Sequence, residues 1–187
     1  MGTSVAPEQL TESGERCLRS LSSLRLIDLP TEQFISSILI PLESHVSRIV
    51  ALVIAKSGVV NHRFVEEMLT KLERDIFDSW PGRIGWLSRG FSVQIQGTAT
   101  YQRFTYLVEV RNAIIHGDGQ FTDKQQKNFN ALIELKKTLS KELDIECRGI
   151  RLSFGPNSQD LAFGIAVSFL AYFDSVVLSD FPEVKRI

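Results

Sequence analysis

The stretch EVRNAIIHGDG, residues 109–119, decides how this chain is organised, because it ends a long helical pattern and places an arginine among apolar residues. The pattern begins near Thr98, and a glycine pair closes it as a helix C-terminus requires. On a wheel of about 100° per residue, the apolar arc comprises Phe104, Leu107, Val108, Val110, Ile114 and Ile115. Arg111 falls inside that arc. A buried charge needs a partner, so either a carboxylate of this protein or an external phosphate should meet it.

A second, polar surface follows the same predicted helix. Its members, spaced i, i+4, i+7 and i+11, are Thr105, Glu109, Asn112 and His116. The Asn112 amide can orient the His116 imidazole one turn away, and Glu109 can extend that chain. The helix dipole favours a protonated histidine at this end. His116 therefore suits a general acid or base, and Arg111 suits a bidentate phosphate clamp.

The composition indicates one globular domain without an overall basic field. The chain has 187 residues, of which 43% are hydrophobic and 23% charged, with a formal net charge of −1. Such a balance weakens a nucleic-acid function but does not exclude a local basic cleft. The two cysteines, Cys17 and Cys147, form no paired or metal-binding spacing and are expected to be free thiols in a reducing cytosol.

Metal and membrane functions have little support in the sequence. The histidines, His45, His62 and His116, lie in separate segments, and no phosphate-binding loop, nucleophile elbow or HExxH motif occurs. We therefore predict no metal and no cofactor. The chain opens without a secretory pattern, and the most apolar run, from Leu161 to Phe173, is too short to span a bilayer. We predict a cytoplasmic protein without membrane contact.

The remaining periodicities predict an all-α fold, with a domain at residues 8–181 between tails at 1–7 and 182–187. Helices are expected near 8–26, 31–57, 61–77, 98–117, 122–143 and 158–178. Thr31 and Asn61 are candidate N-caps, and Pro41 should kink the second helix. Near-alternation of apolar residues at 145–155, with Gly149 as a turn residue, is compatible with a small β-hairpin before the last helix.

Two basic segments offer further sites for RNA. The predicted connector at 83–97 contains Arg83, Trp86, Arg89 and Phe91, which can grip nucleic acid by charge and stacking. A tryptophan plug over the core, with solvated arginines around it, is the more common arrangement. The helix at 122–143 presents Lys124, Lys127, Lys137 and Lys141 on its polar face. A solvated face is again the more common interpretation, and a phosphate track is the alternative.

The pattern Arg-Asn-x-x-x-His, within VRNAIIHG at the end of an amphipathic helix, resembles the HEPN superfamily, the higher eukaryotes and prokaryotes nucleotide-binding helical domains. The resemblance is tightest over about residues 105–119. It implies a helical bundle that dimerises and, in many members, metal-independent endoribonuclease activity in toxin–antitoxin or antiviral systems. By position, Arg111 and His116 correspond to the family arginine and histidine, and Asn112 to the polar residue after the arginine. Family toxins silenced by a nucleotidyltransferase carry a tyrosine where this chain has Asp118, so that mode of control is not supported.

Three functional hypotheses follow from the residues and the resemblance. The first is a homodimeric HEPN ribonuclease that cleaves RNA by attack of its 2′-hydroxyl, acting as a toxin or antiviral effector. The second is a non-catalytic HEPN module for protein or nucleotide interaction, and the third is a sensor subunit. An antitoxin or a defence complex is a candidate partner. A structural alternative pairs Arg111 with an internal carboxylate and leaves His116 as a helix cap.

Overall fold

The computed structural model describes residues 10–58 and 63–186, so the predicted tail at 1–7 and the predicted cap Asn61 lie outside the described residues. The helices are α1 Glu12–Arg25, α2 Thr31–Lys56, α3 Arg63–Phe77, α4 Trp80–Phe91, α5 Ala99–Gly117, α6 Asp123–Gln126, α7 Phe129–Leu143 and α8 Ser158–Asp180. A two-stranded antiparallel hairpin, β1 Ile145–Arg148 and β2 Arg151–Phe154, precedes α8. The predicted all-α fold with a small hairpin before the last helix is confirmed.

The core lies where α2, α5 and α8 pack on one another, with α1 and α4 against α2. The rings of Phe104 and Phe169 stack with their centroids 3.7 Å apart, and Trp80 meets Phe104 edge-on at 4.6 Å. Aromatic contacts of this kind add to the stabilisation from buried apolar area. The three rings come from α5, α8 and α4, so this cluster fixes the position of α5 within the bundle.

Helix α2 runs unbroken through Pro41. Its apolar positions at i+4 spacing, from Phe34 to Ile54, are buried, and this packing holds the helix together despite the amide that proline lacks. Thr31 is the first helical residue, with Pro30 before it and no side-chain cap. The predicted role of Thr31 as N-cap is therefore wrong.

The predicted connector at 83–97 is mostly helix α4. Pro81 lies in the first turn of this helix, a position where proline is favoured because its missing amide costs nothing. Ser79 caps this helix by accepting a hydrogen bond from the amide of Gly82 at 3.0 Å. The same residues therefore end α3 and begin α4.

The predicted helix at 122–143 is divided into α6 and α7, because Asn128 adopts an extended conformation and its side chain caps α7. Phe129, an apolar residue at the start of α7, is 72% exposed. At the other end of the chain, residues predicted as a tail form a 3-10 helix, Pro182–Arg186, with Val184 buried. That short helix packs against α8 and α2.

Two helices, α2 and α8, are long and apolar enough to cross a membrane by length and composition alone. In α8 the apolar character continues past Asp174, so the length argument from the run Leu161–Phe173 does not hold for the whole helix. Within the fold, 50% of the most apolar 18-residue segment of α2 and 44% of that of α8 is buried. The core helices of a soluble protein have this character as well.

Candidate functional site

Helix α5 is held by one buried row of side chains. Thr98 caps its N-terminus by accepting from the amide of Tyr101. The buried residues follow every third position, in the order Phe104, Leu107, Val110 and Ala113. Because a helix turns by about 100° per residue, an i+3 row drifts by roughly −60° per step. The buried side has therefore rotated well away from Phe104 by the time the helix reaches its C-terminal end.

The C-terminal end of α5 is closed by a left-handed cap. Asp118 has φ of 51° and Gly119 has φ of 77°, and the amide of Gly119 donates to the carbonyl of Ala113 at 3.1 Å. Backbone bonds then join this turn to the hairpin: Phe121 donates to Ile150, and Leu152 donates to Gly119, both at 2.9 Å. The predicted glycine ending is present, although Asp118 rather than Gly117 takes the first left-handed position.

Helix α6 is tied to α5 through Gln125. Thr122 and Gln125 form a capping box at the start of α6. The Gln125 side-chain amide also donates to the carbonyl of Glu109 at 2.9 Å and to its carboxylate at 2.6 Å. Glu109 is thus engaged by α6, and it does not extend a chain through Asn112 to His116 as the sequence suggested.

The three predicted site residues form no side-chain hydrogen bond or ion pair within residues 10–58 and 63–186. Arg111 and Asn112 are half-buried, and His116 is exposed. No carboxylate among the described residues thus pairs with Arg111. The expected bond between the Asn112 amide and the His116 imidazole is not formed either. All three side chains remain free to meet an external ligand.

The apolar arc predicted around Arg111 is only partly buried. Phe104 and Leu107 lie in the core, whereas Ile115 is 52% exposed and Val108 is half-buried. The drift of the buried row explains the difference, because at the level of Arg111 the core side is given by Val110 and Ala113. A strip with Arg111 on one margin, Ile115 within it and His116 on the other margin therefore faces outward.

A cavity of about 440 Å³ opens beside His116. Residues of the α5 cap, α6 and the hairpin turn surround it: Gln120, Phe121, Lys124, Gln126 and Ile150. Lys124 is exposed and forms no ion pair to a residue that the structure describes. This arrangement brings a histidine and a lysine from separate helices to one opening, which the sequence alone did not predict.

The basic-aromatic segment of α4 is less available to RNA than its sequence suggested. Arg83 is buried, pairs with Glu43 at 2.9 Å and donates to Ser47 at 2.8 Å. Its guanidinium also lies over the Trp80 ring. Arg83 therefore stabilises the packing of α4 on α2. Of the lysines on the predicted polar face, Lys137 pairs with Glu134 at 2.8 Å.

A second polar cluster, which sequence reasoning missed, is buried between α1, α2 and α8. His45 Nε2 lies 2.8 Å from Asp174 Oδ1, and His45 Nδ1 lies 3.0 Å from Ser13 Oγ. The amide and hydroxyl of Thr11 donate to Asp174 Oδ2 at 2.8 and 3.0 Å. The available signals were a histidine within the apolar face of α2 and an aspartate interrupting the apolar run of α8.

These four residues, the buried cluster, have a serine–histidine–aspartate order that is known from hydrolases. Here, however, all of them are buried, and the His45 and Asp174 side chains are almost completely enclosed. A substrate has no route to Ser13 in this conformation. Both carboxylate oxygens are used within the fold, as a buried charge requires. The cluster therefore joins helices, and the free residues of α5 remain the candidate site.

The chain matches no protein-family model, no curated protein sequence and no solved structure.

Proposed function

We propose that this protein is a metal-independent endoribonuclease of HEPN type, which acts as a homodimer in the cytoplasm as a toxin or antiviral effector. The observation that carries the proposal is that the side chains of Arg111, Asn112 and His116, on the outward-facing side of α5, form no hydrogen bond or ion pair to a residue that the structure describes. An arginine that is half-buried without a carboxylate favours an anionic ligand. An RNA phosphate supplies that anion, and His116 supplies the proton transfer that cleavage needs.

The reaction requires no metal in this mechanism. The 2′-hydroxyl of one nucleotide attacks the adjacent phosphorus while its proton passes to a base. The bond from phosphorus to the 5′ oxygen of the next nucleotide breaks, and that oxygen takes a proton from an acid. A cyclic 2′,3′-phosphate and a free 5′-hydroxyl result. Arg111 stabilises the negative charge on the phosphoryl oxygens, His116 transfers the protons, and Asn112 offers an amide to the substrate.

A dimer solves a geometric difficulty of this site. His116 lies five positions after Arg111, so the two side chains leave a straight helix roughly 140° apart. In a two-fold dimer, Arg111 of one copy can face His116 of the other across a groove. Ile115 supports this arrangement, since it is an exposed apolar side chain between the two residues. Two copies also provide two histidines, one as base and one as acid.

The direct test incubates the purified protein with single-stranded RNA in EDTA, beside Arg111→Ala and His116→Ala. We expect the wild type to leave cyclic phosphate ends and both variants to lose cleavage. Arg48→Ala is a matched control, because Arg48 is an exposed arginine of α2, and it should cleave like the wild type. Equal cleavage by all four proteins would indicate a contaminating nuclease. A monomeric mass at micromolar concentration would contradict the dimer.

A second candidate function is a non-catalytic HEPN module that binds a protein partner, such as an antitoxin or a defence complex. The exposed Ile115 and the formal charge of −1 favour it, because an exposed apolar side chain on a protein without net positive charge suits a protein partner better than RNA. An intact dimer that neither binds nor cleaves RNA would favour this function.

A further inference from the structure

The cavity beside His116 has the size of a small-ligand site. Its volume of about 440 Å³ falls in the range of roughly 300–1,000 Å³ that is typical of ligand pockets. Its lining combines the apolar residues Phe121 and Ile150 with the polar residues His116 and Lys124. A single nucleotide likewise combines an apolar base face with an anionic phosphate.

Some polar side chains that line the cavity already have hydrogen-bond partners within the fold, and others do not. Thr122 is hydrogen-bonded to Gln125 in the capping box, and the side-chain amide nitrogen of Gln126 donates to the carbonyl of Phe121. In contrast, the side chains of Gln120 and Lys124 form no hydrogen bond to a described residue. These two side chains are therefore available to a ligand.

The charge of the cavity is mixed. Asp123 also lines it, and no ion pair joins Asp123 to Lys124 within the described ranges. A free phosphate would meet the carboxylate as well as the ammonium. A nucleotide can satisfy both charges, because its phosphate can bind Lys124 while a donor of its base or ribose binds the Asp123 carboxylate.

We propose that this cavity is a subsite for one unstacked nucleotide that flanks the bond cleaved at His116, and that Lys124 binds a phosphate of the same strand. This inference rests on the proposed function. Gln120, whose amide offers both a donor and an acceptor, contacts the edge of the base. An unpaired base can enter the cavity, whereas a base within a duplex remains stacked. Lys124 is thus a substrate-binding residue supplied by α6, outside the motif of α5.

The test measures binding separately from cleavage. A fluorescent single-stranded RNA whose 2′-hydroxyls are methylated cannot undergo the reaction, so its affinity reports on the subsite alone. Lys124→Ala should weaken binding by about tenfold, the loss expected for one charge-assisted hydrogen bond. It should also reduce the slope of log affinity against log salt by about one phosphate contact. Lys127→Ala is the matched control, since Lys127 is an exposed lysine three residues later that does not line the cavity.

Base recognition is tested by Gln120→Ala. We expect this variant to change the ratio of affinities among the four methylated homopolymers, while Lys124→Ala lowers all four together. Equal affinities of Lys124→Ala and Lys127→Ala would overturn the subsite.

The outcomes also separate this inference from the proposed function. Binding that depends on Lys124, without cleavage of ordinary RNA, would keep the subsite and overturn the ribonuclease. Cleavage that is equally fast in Lys124→Ala and Lys127→Ala would keep the ribonuclease and overturn the subsite. A wild-type protein that neither binds nor cleaves RNA would overturn both.

Discussion

Two histidines of the described part of the chain, His45 and His116, lie in opposite environments. His45 lies in the buried cluster, where Ser13 and Asp174 occupy both ring nitrogens. His116 lies at the end of α5, where no described residue bonds to its side chain and a cavity opens beside it. Satisfied polar groups inside a fold stabilise it, whereas unsatisfied ones at its surface are available for binding. The comparison predicts that changes in the first region affect stability and changes in the second affect activity.

The largest loss of stability is expected for Asp174→Ala. Removal of this carboxylate leaves His45 and Thr11 without their partner in the core. Breaking a buried pair in this way costs about 3–5 kcal/mol. Chemical denaturation of purified wild-type and variant protein measures the difference in free energy of unfolding. A loss below about 1 kcal/mol would mean that solvent or rearrangement satisfies the cluster.

The reactivity of the Cys17 thiol is an independent measure of the stability of the same region. Burial, followed by the Asp174 carboxylate, raises the pKa of Cys17 from its ordinary value of 9.0 to about 12. Between about pH 9 and pH 12, the thiol therefore keeps its proton in the native state and loses it in the unfolded state. The resulting stability is fully present below pH 9 and is lost as the pH rises toward 12. We expect alkylation of Cys17 at pH 8 to follow unfolding, and Asp174→Ala to accelerate it.

Gly14→Ala should be the next most damaging change. A Cβ atom at this position would lie 2.0 Å from Asp174 Oδ2, so α1 could not approach α8 as it does. Overpacking of this kind costs about 1–3 kcal/mol. Thermal unfolding should show a lower midpoint than that of Gly164→Ala, the control, where a Cβ meets nothing within 4 Å. Equal midpoints would contradict the close approach of the two helices.

Gln125→Ala is expected to reduce both stability and RNA binding. It removes the capping box of α6 and the hydrogen bonds to Glu109, which together should cost about 1–2 kcal/mol. Because α6 carries Lys124, we also expect weaker RNA binding. Hydrogen exchange of the α6 amides should increase more than exchange in α2. Unchanged exchange in α6 would show that other contacts hold this helix.

The smallest effects on stability are expected for Arg111→Ala and His116→Ala. Neither side chain loses a hydrogen bond or ion pair to a described residue, so the free energy of unfolding should change by less than about 0.5 kcal/mol. Cleavage should nevertheless fall by roughly 10²–10⁴-fold for His116→Ala, the usual contribution of a general acid or base. Parallel measurement of unfolding and cleavage sharpens the comparison. A large loss of stability in either variant would assign that residue to the fold.

The sequence predicted the long helices because their apolar residues repeat over many turns, as from Phe34 to Ile54. It missed α4, since Pro81 and Gly82 have the same appearance at the end of one helix and at the start of the next. It also missed the break at Asn128, where one side-chain cap outweighs the helix-forming residues around it. Local periodicity contains no information about such choices, which depend on a few hydrogen bonds.

The candidate site shows the same limit. Residues 111–116 were recognisable because they lie on one helix. Lys124 reaches the same cavity through a turn and a capped second helix, and His45 meets Asp174 from a position 129 residues away in sequence. The helical wheel also predicts Arg111 within an apolar arc, because it assumes that the same side of the helix faces the core along its whole length. The buried row of α5 drifts instead and leaves that arginine at the margin.

The backbone bonds between the α5 cap and the hairpin turn have a consequence for how this protein can change over evolutionary time. The wall of the cavity is held by main-chain groups of Gly119, Phe121, Ile150 and Leu152, so its shape does not depend on the exposed side chains that project into it. Substitutions at Gln120 and Ile150 can therefore alter what the cavity accepts while His116 keeps its position. A lineage, or a designer, could retarget this protein through a few surface mutations without rebuilding its scaffold.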